Sequence, residues 1–287
     1  MKAIYKRELA SYFKSMIGYV FMFFIFVVVG IYFDAYNLSY GYPTMTVTLN
    51  SITFVFLVAI PILTMRVLSE ERKQKTDQLL LTAPVSVSKI VCGKFFALST
   101  IYAIPVAVIC LYPLILRSFG KISYVQNYTA ILGFFLLGIA NIAVGMFLSS
   151  LTENMIVAAV LTFVVMFVSY VMTGIESLFT DTAKLSFVVV LIMILLFAVF
   201  IYVMTKNEVA AFGTGLVLEI AAVVVYFVKS ALYEGLVTKI LELFNIDGHF
   251  QSFVDGTFDL SAVFYFISVA FVFVFLTIQS VNKRRWS

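Results

Sequence analysis

The run from Arg66 to Lys94 holds the side chains best able to do chemistry. Glu70, Glu71, Arg72, Lys73, Lys75, Thr76 and Asp77 follow almost without interruption, and Leu79, Leu80, Leu81 and Pro84 come directly after. Clustered charges of both signs can complement a charged protein surface, and three leucines can fill an apolar groove in it. The alternative is a solvated loop whose charge only fixes topology. Elsewhere such candidates are sparse. Glu219 lies in the middle of an apolar stretch, on a helical stripe with Glu208, Ala211, Gly215 and Ala222, where an ionisable group is costly. Its carboxyl either ties two helices together or lines a path for cargo. Asn141, on a stripe with Gly138, Gly145 and Ser149, carries the same pair of readings. Metal chemistry has no footing: His249 stands alone, and the 11 Met are scattered without paired spacing. Cys92 and Cys110 fall on one expected helix, about 27 Å apart at 1.5 Å per residue, too far for a disulfide. No Gly-x-x-x-x-Gly-Lys-Ser/Thr loop occurs, so nucleotide phosphates are not cradled by that device. No catalytic residue, metal or cofactor is expected on this chain.

The elements that position these residues follow from the apolar pattern. With 63% hydrophobic and 12% charged residues and a mean hydropathy of +1.08, the chain is too apolar for an ordinary soluble domain. Eight stretches lack charge, or nearly so, for the roughly 17 residues that cross a hydrocarbon core. They are Ile17–Phe33, Leu49–Met65, Phe95–Leu116, Tyr128–Leu151, Met155–Met172, Leu185–Met204, Val209–Val228 and Leu260–Val281. Each is expected to be an α-helix, because lipid offers no partner to an open backbone amide. The fold class is therefore all-α, a polytopic membrane helix bundle of six to eight spans forming one domain over residues 1–287. With both termini cytosolic, 14 of the 19 Lys and Arg fall on cytosolic segments, as the positive-inside rule requires. The net charge of +4 then describes topology in a cell membrane, with the lipid bilayer as its partner and no nucleic acid. A block as charged as Arg66–Lys89 cannot sit in lipid, so it lies at a membrane face.

Three further segments have a readable character. Residues 1–16 mix Lys2, Lys6, Arg7, Glu8 and Lys14 with Ile4, Tyr5, Leu9, Tyr12 and Phe13, which suits a helix lying in the interface. Asp34–Thr48 reads as an outer loop, with Asp34, Asn37, Gly41 and Pro43 as breakers. Residues 229–259 form the longest non-spanning segment, in which Leu232, Leu236, Ile240 and Leu243 recur at helical spacing. An amphipathic helix resting on the outer leaflet is expected there.

Several strings carry a family resemblance. They are Lys-Arg-Glu-Leu-Ala-Ser-Tyr-Phe-Lys-Ser-Met-Ile-Gly-Tyr-Val at the N-terminus, Glu-Glu-Arg followed by Leu-Leu-Leu, Pro and Gly-Lys, Ser-Ser-Leu-Thr-Glu-Asn, and the segment from Phe250 to the terminal Lys-Arg-Arg-Trp. Together they resemble the permeases of ABC type-2 transporters, nearest to those of gliding-motility and nitrous-oxide-reductase-maturation systems. The departures are Met16 where a Pro is common, Lys75 where Gly is frequent, and Asp77-Gln78 where Leu-Glu is frequent. The resemblance implies an N-terminal elbow helix and a cytosolic coupling segment, with Glu70, Glu71, Arg72, Lys73, Lys75, Thr76, Asp77, Leu79, Leu80 and Pro84 meeting a separate ABC ATPase that binds ATP and Mg. It also implies a second permease protomer, of the same or a related chain, and outward movement of a lipid-like, amphiphilic or peptide cargo. Two other classes stay open. One is an ATP-driven scaffold acting on an auxiliary subunit with a large extracytoplasmic domain, with 229–259 as its handle. The other is an ion-driven carrier, for which Glu219 alone offers an intramembrane charge.

Overall fold

A computed structural model describes residues 1–76, 85–176, 182–205 and 208–286, and every regular element among them is helical. Among the described residues five helices are long and apolar enough to cross a membrane, and as many as seven spans result if each of two bent pairs counts as one. The chain is a polytopic all-α membrane protein. It forms two compact units, Met1–Tyr170 with Ile246–Ser287, and Val171–Asn245.

In the first unit α1 (Lys2–Lys14) and α2 (Met16–Tyr32) meet at Ser15, whose extended backbone breaks the helix. The elbow is tight because residue 18 is glycine: a Cβ there would stand 2.7 Å from the Tyr12 carbonyl oxygen. The expected loop from Asp34 begins later than its breakers suggest. Residues Phe33–Ser39 prolong α2 as a wider helical turn, and Asn37 then closes the chain reversal. Its buried amide donates to the carbonyls of Tyr42 at 2.8 Å and Thr44 at 2.9 Å and accepts from the Thr48 hydroxyl at 2.5 Å.

The second expected span, Leu49–Met65, is not one helix. It divides into α3 (Met45–Ser51) and α4 (Val55–Thr64), bent by 63°. The cause lies in the polar run Thr46, Thr48, Asn50, Ser51 and Thr53, whose side chains compete with the backbone ladder. The Thr53 hydroxyl donates to the Asn50 carbonyl at 3.0 Å, just where the helix opens. After α5 (Ser69–Lys73) come α6 (Val87–Ile109) and α7 (Tyr112–Leu116), separated at Cys110 and Leu111 and flanked by Pro105 and Pro113. The central element is α8 (Tyr124–Leu151), the most deeply buried span, against which α3, α4, α6, α13 (Gln251–Val254) and α14 (Leu260–Trp286) all pack. Phe56, Tyr102, Phe134, Phe250 and Phe253 fill the space around it. Asn154 then caps α9 (Met155–Glu176), its side chain accepting from the Ile156 amide at 2.9 Å.

The second unit contains α10 (Ala183–Thr205), α11 (Glu208–Val228) and α12 (Leu236–Phe244). The chain turns by 116° between α11 and the segment holding α12. A short turn over Ser230–Tyr233 makes that bend, and the Tyr233 hydroxyl donates to the Ala222 carbonyl at 2.9 Å. Leu232, Leu236 and Ile240 line an apolar hollow of about 670 Å³ with Val190, Ile194 and Val225, while Leu243 stays exposed.

Candidate functional site

The expected charge block enters the structure as α5, a single short helix at the end of the bundle that carries both termini. Its root is fixed by small groups on α8. The Ser149 hydroxyl accepts from the amides of Leu68 and Ser69 at 3.3 Å each and donates to the Met65 carbonyl at 3.2 Å. Gly145 leaves room for Thr64, and Gly138 for the Tyr102 ring. The stripe read from the sequence thus packs against the end of α4, the root of α5 and the Tyr102 ring of α6, with Asn141 buried within it.

Around α5 the side chains form a closed ring of four charges. The Lys94 ammonium of α6 lies 3.0 Å from Glu8 Oε1 of α1 and 2.9 Å from Glu71 Oε1 of α5. The Arg7 guanidinium lies 2.7 Å from the same Glu8 oxygen and 2.8 Å from the same Glu71 oxygen. Lys94 gives its third hydrogen bond to the Val67 carbonyl at 3.0 Å, so all three of its donors are used. Its side chain is 1% exposed. Burial opposes the charge on Glu8, but attraction from Lys94 and hydrogen bonds from Arg7 and Lys94 outweigh it and hold the carboxyl below its usual range. Burial likewise works against the Arg7 cation, and Glu8 and Glu71 together reverse the balance, raising it.

A second set of contacts flanks the ring. Arg66 pairs with Glu70 at 3.0 Å, donates to the Ser11 hydroxyl at 3.0 Å, and lies 5.1 Å from the centre of the Tyr12 ring. The Tyr12 hydroxyl, kept protonated by burial, donates to the Leu63 carbonyl at 2.9 Å. On the other side Arg72 donates to the Ser150 carbonyl at the end of α8, while Glu153 lies 3.9 Å from Arg72 and 3.5 Å from Arg284. Between α1 and α5 a polar cleft of about 410 Å³ opens, lined among others by Arg7, Arg66, Glu71, Gln74 and Thr76.

Of the residues expected to face a partner, Glu70, Glu71 and Arg72 are therefore bound within the chain. Lys73, Lys75 and Thr76 are exposed. Asp77, Leu79, Leu80 and Pro84 lie outside the described residues. Lys75 has φ 57°, the left-handed conformation that favours glycine, and it ends α5 with the Thr76 amide bonded to the Glu71 carbonyl at 2.9 Å. That accounts for the glycine expected at this position. Glu219 is half-buried on α11 in the second unit, with Ala222 buried beside it; it makes no hydrogen bond or ion pair with a described residue. The side chains of Glu208, Ala211 and Gly215 on its expected stripe lie outside those described.

Glu8 and Lys94 were missed as site residues, although the sequence carries a signal for both. Ile4, Glu8 and Tyr12 share one helical stripe, as do Ile90, Val91, Lys94, Leu98 and Ile101. In each an ionisable residue interrupts a face that is otherwise built for packing. Such a residue needs a buried partner, and each supplies the other's.

These features define a membrane-embedded bundle whose short charged helix is fastened to its neighbours rather than left in solvent. Scanned against protein-family profiles, the chain matches the ABC-2 family transporter proteins over residues 32–232, more than two thirds of its length. The chain belongs to that family, and so is a membrane subunit of an ABC transporter, which implies an ABC ATPase partner. No curated protein and no solved structure matches it.

Proposed function

We propose that this chain is the permease of an ATP-driven exporter, in which a separate ATPase holding ATP and Mg presses on residues 66–89. The observation that supports this reading is the closed ring of Arg7, Glu8, Lys94 and Glu71. It joins α5 to the elbow helix and to the start of α6, so a displacement of α5 is passed into two elements at once. Rigid elements joined in this way carry a local shift into the bundle. The face bearing the ring is cytosolic, with both termini on it, and two protomers of the same or a related chain act together in the cell membrane. Cargo moves outward and is lipid-like, amphiphilic or a peptide, in a system of the gliding-motility or nitrous-oxide-reductase-maturation type.

The test is a gentle detergent purification of the chain from its native membrane after crosslinking from exposed Lys73 or Lys75. A phosphate-loop ATPase joined at these positions is expected. Recovery of the chain without any ATPase, with or without crosslinking, would overturn the coupling role. Recovery with an added subunit bearing a large outer domain would instead favour the scaffold reading.

A further inference from the structure

An apolar groove of about 590 Å³ opens between α6, α8 and α14, away from the charge ring. Its α6 wall runs from Cys92 through Phe96, Ser99 and Thr100 to Ala103, a single helical stripe. These residues rise about 16 Å at 1.5 Å per residue, roughly half of the 30 Å or so of a hydrocarbon core. The groove is therefore one leaflet deep. A spanning helix of a second copy needs a seam of about 20 residues, nearly twice this length. A single acyl chain needs one leaflet.

The end of the groove decides which lipid. One turn before Cys92 the same stripe carries Lys89, which is exposed. The N-terminus also abuts this mouth, since a Cβ on Gly93 would stand 3.3 Å from the Met1 carbonyl oxygen, and Lys2 beside it is exposed. Among the described residues neither lysine is ion-paired, whereas Glu8, Glu70, Glu71 and Glu153 at this end of the bundle all are. Among the described residues, the uncompensated charge at the mouth is positive.

We infer that the groove between α6, α8 and α14 binds an anionic phospholipid of the adjacent leaflet, with one acyl chain along Cys92–Ala103 and the phosphate at Lys89 and Lys2. The lysine stems cover the apolar rim while their ammonium groups reach the headgroup plane. The proposal does not depend on the exporter reading.

The test titrates the full chain, purified and delipidated in dodecyl maltoside, with phosphatidylglycerol or with phosphatidylcholine of the same acyl chains, and counts retained lipid by native mass spectrometry. Phosphatidylglycerol is expected to be retained at least about fivefold better. Lys89→Glu should remove that preference, while Lys239→Glu, the same charge change in the second unit, should leave it. Ala103→Phe, which fills the groove, should lower retention of both lipids. Equal retention of the two lipids by the wild type, or equal effects of Lys89→Glu and Lys239→Glu, overturns the site. So does an Ala103→Phe variant that dissociates a dimer with lipid retention unchanged, because the groove would then seat a second copy. Lys89 is exposed, so its variant decides the question even if Ala103→Phe fails to fold.

Discussion

Replacing Lys94 by Met removes the one cation in the ring that is fully enclosed, and the structure sets the size of the effect. Lys94 contacts Glu8, Glu71 and the Val67 carbonyl, so the variant strips each carboxylate of one of its two counterions and leaves the carbonyl unpaired. Breaking a buried pair on one side costs about 3–5 kcal/mol. The low end applies, because Arg7 remains paired with Glu8 and Glu71 and its own side chain is 51% exposed, where solvent screens the attraction. A loss of about 3 kcal/mol is expected, which for a chain of this size lowers the midpoint by roughly 6 °C. The assay is thermal unfolding in detergent at one fixed heating rate, since midpoints of membrane proteins depend on it. The double variant Lys94→Met/Glu8→Leu removes both enclosed charges and should return to within about 1 kcal/mol of wild type. The pH dependence has a defined sign. Glu8 is held below its usual range in the fold, so its contribution is complete above the unfolded value of roughly 4.3 and is lost as pH falls through the folded one. Wild type and Lys94→Met should thus converge under acid conditions. A single variant as stable as wild type at neutral pH, or a double variant worse than either single, refutes the ring as a fastening.

Three further outcomes follow from other parts of the fold. Lys75→Gly relieves a left-handed backbone at φ 57° and should stabilise the end of α5 by about 1 kcal/mol, read as slower amide exchange at Gln74–Thr76. Gly145→Val drives a side chain into Thr64 and should cost about 1–3 kcal/mol, seen as a lowered midpoint with the charge ring unaltered in sequence. Asp247 is pushed up to about 7 by burial, against the opposing hydrogen bond from Ser169. An acid raised in the fold keeps its proton longer than in the unfolded chain, so stability should fall as pH rises from about 4 to about 7, and Asp247→Asn should flatten that slope in a melting series.

The apolar spans and the polar character of residues 66–76 were legible because hydropathy and charge are local properties of the chain. Where the helices break was not. Asn50 and Thr53 look unremarkable in an apolar window, yet the hydroxyl-to-carbonyl bond between them sits at the opening of the second span. Conversely Asp34 and Asn37 read as loop formers, and the helix passes through both because Asn37 satisfies the later turn from within it. The charge ring was hidden by distance: Arg7 and Glu71 are 64 positions apart, and Glu8 and Lys94 are 86. Taken singly, each is an ordinary basic or acidic residue at a membrane face. Only the two packing stripes they interrupt hint that they belong together.

The ring also sets the kind of motion that α5 can make. Sliding any one member outward by an ångström or two breaks two of the four ion pairs together, so intermediate positions are poor ones. Thermal agitation alone seldom opens a joint in which enclosed charges would lose their partners together. Such a joint behaves as a catch rather than a spring. On the coupling role proposed above, a push below its threshold would leave α1 and α6 fastened, and one above it would release both in a single step.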